Sequence, residues 1–226
     1  MHTLDARLAA VYDAIPDGAS IADIGTDHAI LPIALIKSGK AKSVIACDIN
    51  EKPLENARRS VQRCGCNNIS LRQSDGLQRV KKGEADCIVI AGMGGEVISG
   101  ILSRCAYIKD TDITLILQPM TGADVLRRFL CENGFAIVRE TGVAQDKRLY
   151  TVITAKYTCK KIKYDEAFLR RGMLDPKRYE DLLYLKKQQR IIKKCMDDLE
   201  KVPAKRKQFE QYKALFEEIS NYIKVN

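Results

Sequence analysis

Two apolar runs set about 20 residues apart, Ser20-Ile-Ala-Asp23-Ile-Gly25-Thr-Asp27-His28 and Val44-Ile-Ala-Cys-Asp48, leave this chain few ways to fold. A run of roughly four to six apolar residues that stops at Gly or Asp marks a buried parallel strand. Between the two, Leu31-Pro32-Ile-Ala-Leu-Ile36 begins a helix, so the unit is strand, turn, helix, strand. In such a unit the first turn holds a nucleotide cofactor against the helix N-terminus, and an acid at the tip of the second strand accepts hydrogen bonds from ribose hydroxyls. Asp48 is placed for the ribose, with Ile49 beside it, and Asp23, Gly25 and Thr26 for the first turn.

The alternation continues to residue 155. Thr3 can cap a first helix whose Leu4, Leu8, Val11 and Ile15 recur at helical spacing until Pro16-Asp17-Gly18. Strands are read at 43–47, 69–73, 85–91 and 113–117, with Gly92-Met93-Gly94-Gly95 closing the third of these and Gln118-Pro119-Met120 the fourth. Helices are read from Pro53 to Arg63 and over 96–105 and 123–133, and two last strands, 135–139 and 149–155, are joined by a polar loop. This order predicts an α/β fold, a Rossmann-like doubly wound and mostly parallel sheet, for a domain over residues 1–157. Lysine-rich residues 156–164 read as a linker. Beyond them Leu182, Leu185, Ile192, Met196 and Leu199, with polar Gln189 filling one place, and Phe209, Tyr212, Phe216, Ile219 and Ile223 form two apolar stripes. Val202-Pro203-Ala204 separates them, so residues 164–226 are expected to fold as an antiparallel, coiled-coil-like helical hairpin docked on the first domain.

Charge divides the same way. Of 38 Lys+Arg and 29 Asp+Glu, residues 1–155 hold 19 and 18, a net +1, which leaves 19 and 11, a net +8, for residues 156–226. Such asymmetry points to a polyanion partner for the tail, nucleic acid before membrane because no large apolar face accompanies it; a solvated helix surface is the plainer alternative. The apolar runs fall short of the roughly 18 residues of a membrane span, and Met1-His-Thr-Leu-Asp-Ala-Arg7 lacks the apolar region of a signal peptide, so a cytoplasmic protein is expected. Eight cysteines, at 47, 64, 66, 87, 105, 131, 159 and 195, show no repeated Cys-x-x-Cys, and there are two histidines; reduced, buried thiols and no metal are expected.

The first turn has one glycine where a dinucleotide fingerprint has three, which argues against a nicotinamide. Three glycines serve a pyrophosphate; S-adenosylmethionine has none, and backbone groups around Gly25 with the Asp23 carboxylate can meet its methionyl carboxylate and ammonium. Asp75-Gly76 sits where an acid can accept from an adenine amino group, or is a common turn dipeptide. Ala91, Gly92 and Met93 lie at the carboxyl edge where open sheets place ligands, or form a plain strand-to-helix turn. Gln118 stands at the matching end of the next strand, where its amide can meet a base edge. Asp27 and His28 face the same cleft; an N-cap and a backbone contact are their bland alternatives.

Taken together, Ala22-Asp-Ile-Gly-Thr-Asp-His-Ala-Ile-Leu-Pro32, Ile90-Ala-Gly-Met-Gly-Gly95 and Leu115-Ile-Leu-Gln-Pro119, with the opening Arg7-Leu8 helix and the Asp146 to Tyr150 hairpin, resemble the bacterial tRNA adenine-N1 methyltransferases acting at position 22. The likeness runs from about Leu4 to Ala155 and more loosely into the tail. It implies a Rossmann-like methyltransferase domain with a helical C-terminal domain, S-adenosylmethionine as cofactor, tRNA as partner, and methyl transfer to N1 of an adenine in the D-arm. N1 has a lone pair that can attack a methyl group in line, so such an enzyme has chiefly to expose and align it. N1 is hidden in folded tRNA, so the base must be drawn out. A carboxylate near N6 then offsets the charge that methylation puts on the ring. Asp27 is the candidate for that role, Gln118 for orienting the base, and Arg7 for a phosphate or the cofactor edge. Lys186, Lys187, Arg190, Lys193 and Lys194, with Lys205, Arg206 and Lys207, are the candidates for the tRNA backbone. A monomer is expected. Methylation of another substrate and a non-catalytic RNA-binding role with a vestigial pocket remain as rivals; binding of bulk tRNA tests the first and calorimetry with S-adenosylmethionine the second.

Overall fold

The computed structural model describes residues 4–109 and 112–225. Strand β1 (Ala19–Ile24) pairs in parallel with β2 (Ala41–Asp48) on one side and β4 (Cys87–Gly94) on the other, while β3 (Ile69–Gln73) adds outside β2 and β5 (Thr114–Thr121) outside β4. An antiparallel pair, β6 (Phe135–Gln145) and β7 (Arg148–Tyr157), completes the sheet in the order β3-β2-β1-β4-β5-β7-β6. The winding reverses between β1 and β4, and a crevice for ligands opens at such a switch point beyond the carboxyl ends of the strands.

Helices cover both faces, which is why the inner strands are continuously apolar rather than alternating. Ala22 and Ile24 join Ile88, Ile90, Leu115 and Leu117 on one face, beneath α4 (Gly95–Ser103) and α5 (Ala123–Glu132). On the other, Ile21, Val44, Val89 and Ile116 lie beneath α1 (Ala6–Ala14) and α2 (Ile30–Lys37). Alternate residues of one strand serve opposite layers, as the pleat requires. Helix α3 (Glu51–Cys64) buries Leu54, Ala57 and Ser60 and flanks β2 and β3.

Several boundaries differ from expectation. Thr3 lies outside the described residues; the cap of α1 is Asp5, whose carboxylate accepts from Leu8 N at 2.7 Å. Helix α3 starts at Glu51, ahead of Pro53. Strands β4 and β5 run through the segments read as closing turns, because their ladder continues to Gly94↔Thr121 with register shifts around Met93. The polar loop expected between 139 and 149 is instead a hairpin, paired from Phe135↔Tyr157 to Gln145↔Arg148 and turning at Asp146, whose φ of 53 suits a tight hairpin turn. Polar residues hid it. Glu140 is buried within β6, accepting from Arg127 Nη2 and Thr151 Oγ1, both at 2.6 Å, and from Met173 N at 3.0 Å.

The tail holds three helices rather than two: α6 (Glu166–Arg171), α7 (Tyr179–Glu200) and α8 (Arg206–Val225). Ile192 and Met196 pack against Tyr212, Phe216, Ile219 and Ile223, with Ala167 of α6 closing the cluster. Gln189 occupies the seam and donates to Ser220 Oγ at 2.7 Å, so its polarity is satisfied across the hairpin. Leu174, Tyr184 and Leu185 dock beside Leu149, and Asp181 accepts from Gly142 N at 2.6 Å and Asp175 N at 2.9 Å. No described helix is long and apolar enough to cross a membrane. Five cysteines are buried, but Cys64 and Cys195 are half-buried and Cys159 is exposed, so the uniformly buried set expected is not what the fold makes.

Candidate active site

Beyond the carboxyl end of β1 the chain folds onto β2: Gly25 N and Thr26 N both donate to Cys47 O, at 2.8 and 2.9 Å. Gly25 has φ +83, a conformation that side chains rarely adopt, and a Cβ there would push aside the tip of Met93, so glycine is favoured at this turn. Asp23, at the end of the same strand, is buried at 6% exposure, and among the described residues no cation pairs with it. Burial pushes its carboxyl up to about 6, with the Thr26 hydroxyl opposing the rise and the Asp48 carboxylate adding to it. Thr26 Oγ1 is itself buried without a hydrogen bond of good geometry. A buried carboxylate met only by a poorly aligned hydroxyl beside a bare backbone turn is costly unless a ligand supplies a cation.

On the neighbouring strand, Asp48 accepts from Asn50 N at 2.8 Å through one oxygen and remains partly exposed. Ile49 is 57% exposed beside it, an apolar surface at the rim. Asp75 is more occupied than expected: one oxygen takes Arg104 Nη2 at 3.2 Å and the other Gln78 Nε2 at 3.4 Å. Gly76 follows at a turn packed tightly on Ile101.

Across the crevice, Ala91, Gly92 and Met93 end β4 beside β5. Gln118 is fully buried, and its Oε1 accepts from Arg7 Nη1 at 3.0 Å and Gly92 N at 3.1 Å while Nε2 donates to Pro119 O at 2.9 Å. Its amide is thus spent on protein groups rather than open to a base, which makes Gln118 the residue that positions Arg7 and Gly92. Two further residues, which no sequence pattern singled out, complete this clamp. Gln145 Oε1 accepts from Arg7 N at 3.3 Å, and Asp5 accepts from Gln145 Nε2 at 3.4 Å and lies 3.6 Å from Arg7 Nη2. Nothing in the local sequence marks Gln145; Asp5 carries the weak signal of an acid opening a helix.

Asp27 and His28 stand exposed at the mouth, Asp27 Oδ1 lying 3.4 Å from His28 Nε2. Ala29, with a left-handed φ and no side-chain cap bond, takes the N-cap position of α2, so Asp27 is not spent as a cap. The thiol of Cys47 behind the turn is pushed up to about 12, chiefly by burial, which makes it no nucleophile. Of the tail cations, Lys186, Arg190, Lys193, Lys194, Lys205 and Lys207 are exposed. Arg206 is exposed as well, in a surface pair with Glu210 at 3.1 Å, whereas Lys187 donates to Leu149 O at 3.1 Å.

The methyltransferase domain family matches residues 4–153. Over 172 residues the chain is 41% identical to the tRNA (adenine(22)-N(1))-methyltransferase of Bacillus subtilis, covering 76% of this chain and 72% of that one. The chain belongs to this methyltransferase family. Among solved structures, the B. subtilis m1A22 tRNA methyltransferase TrmK superposes with a TM-score of 0.85 at 31% identity, over 99% of this chain and 100% of that one. TrmK of M. capricolum, in complex with the cofactor product S-adenosyl-homocysteine, gives 0.80 at 28% identity over 99% of each. Both likenesses span the helical tail as well as the sheet, so the architecture shared with these two structures includes α6 to α8.

Proposed function

We propose that the protein transfers a methyl group from S-adenosylmethionine to N1 of adenine 22 in tRNA, acting as a cytoplasmic monomer. The observation that carries the reading is buried Asp23, with no cation beside it among the described residues and only the poorly aligned Thr26 hydroxyl to meet it at the Gly25 turn, in a chain of this family. Asp23 and Thr26 hold the cofactor's ammonium end, backbone at Gly25 its carboxylate, and Asp48 its ribose; Ile49 covers the adenine face, and Ala91, Gly92 and Met93 wall the far side. Asp75 stays available through exchange of its exposed Arg104 pair, which is worth little. When bound, S-adenosylmethionine supplies an electrophilic methyl group on a sulfonium.

The protein's own residues expose and steady the base. Gln118, with Asp5 and Gln145 behind it, holds Arg7 and the Gly92 amide at the crevice, where Arg7 faces incoming phosphate. Methylation makes the adenine ring cationic until N6 loses a proton, and Asp27 takes that proton, its mate His28 passing it to solvent. The sheet domain, residues 1–157, carries the chemistry; the tail, 164–226, holds tRNA through its exposed lysines and Arg190. The test is to incubate the protein with unmodified tRNA and labelled cofactor and to map the product by mass spectrometry. Label as 1-methyladenosine at position 22 supports the reading; label elsewhere, or none, overturns it.

A further inference from the structure

Helix α3 carries a second cationic surface that the net charge of the sheet domain conceals. A groove of about 480 Å³ opens between it and the β1–α2 turn, lined by His28, Asn56, Arg59, Gln62 and Arg63. Each of these side chains can donate a hydrogen bond to an anion, and the lining contains no carboxylate. Arg59 and Arg63 stand one helical turn apart on the same face, and from Asn56 to Arg63 that face runs about 10 Å. Arg63 is oriented by its own helix, Nε donating to Arg59 O at 3.3 Å and Nη2 to Ser60 Oγ at 3.5 Å. Glu55 lies 3.8 Å from Arg59, an exposed pair that an incoming phosphate exchanges at little cost. At the head of the groove His28 is held at φ 54, one residue from Asp27.

Position gives the surface its meaning. Helix α3 flanks β2 and β3, whereas α7 packs on β6 and β7, so the two cationic surfaces stand at opposite edges of a seven-stranded sheet. Six strand spacings separate those edges, about 29 Å, with the crevice between them.

We propose that the α3 groove binds the RNA backbone, with phosphates flanking the target adenine lying along Arg59 and Arg63 while the tail helices hold the substrate across the far edge. The proposal rests on the tRNA methyltransferase reading and adds a second grip to it. A substrate held at one edge can pivot about that contact; held at both, the drawn-out base is fixed in register with the crevice.

The test is Arg59→Gln/Arg63→Gln in the full chain, Gln being about as good a helix former as Arg. Unmodified tRNA is titrated by filter binding from 50 to 200 mM salt, with S-adenosylmethionine affinity and melting temperature measured alongside. With two phosphates no longer neutralised, the plot of log affinity against log salt should become shallower by about 1.4 to 1.8 and binding should weaken about tenfold or more, with cofactor affinity and melting unchanged. Arg58→Gln, which removes a guanidinium paired with Glu51 at 3.5 Å outside the groove, should leave the slope alone. A double variant that keeps the wild-type slope and affinity overturns the proposal, and methylation of the same tRNA by the wild type then shows that the methyltransferase reading survives. A wild-type chain that binds no tRNA removes both.

Discussion

Replacing Asp23 with Asn should stabilise the ligand-free protein and abolish its hold on the cofactor. Burial raises this carboxyl from its ordinary 3.8 to about 6, and about two units at roughly 1.4 kcal/mol each make the ionised form cost about 3 kcal/mol in the fold. The sign follows from the direction. A raised carboxyl costs nothing well below 3.8, where it is protonated in both states; its cost builds as pH rises above 3.8 and is complete once pH passes about 6. Asn carries no charge, but its amide must be housed in the same site at about 1 kcal/mol, so the variant should be less stable than wild type by about 1 kcal/mol near pH 3.5 and more stable by about 2 kcal/mol at pH 7.5. Urea unfolding of both proteins across that range measures the difference directly. Adding S-adenosylmethionine at about 100 times its Kd should then stabilise wild type by about 2.7 kcal/mol and leave the variant unmoved. A wild-type-to-variant difference that stays flat with pH would refute the claim that the site holds a buried, uncompensated charge.

Asp27→Ala should keep S-adenosylmethionine affinity by calorimetry and lose most turnover, by about 100-fold; normal turnover removes Asp27 from the mechanism. Glu140→Ala leaves Arg127 buried and unpaired, so chemical denaturation should show a loss of about 3–5 kcal/mol; a loss under about 1 kcal/mol would mean that the pair is solvated. Converting Lys193, Lys194, Lys205 and Lys207 to Gln should weaken tRNA binding and flatten its salt dependence by up to about 0.9 for each phosphate left without a lysine. Fold stability should not change, because all four are exposed.

The part of the fold that could be read without coordinates is the part whose signal is local. Ile21, Ile24, Val44, Ile88 and Leu117 lie in runs apolar enough to require burial on both faces, so the strands and Asp48 at the tip of the second follow from composition along a few residues. The tail stripes are legible for the same reason. The full length of the β6–β7 hairpin was not, because Glu140 and Thr151 are polar residues buried by a partnership with Arg127 that no periodicity records.

What the amino-acid order determined by itself is the layered sheet, the placement of Asp23, Gly25 and Asp48 at its carboxyl edge, and the basic tail, since each depends on how much of a short segment water can reach. Tertiary structure alone decided the rest. It brought Gln145 to Arg7 across 138 positions and turned Gln118 from a base contact into a clamp. It also engaged Lys187 among the tail cations and placed Arg59 and Arg63 beside His28. Polar pairing and desolvation depend on what lies opposite a group in space, and that is set by packing between distant segments rather than by the residues on either side.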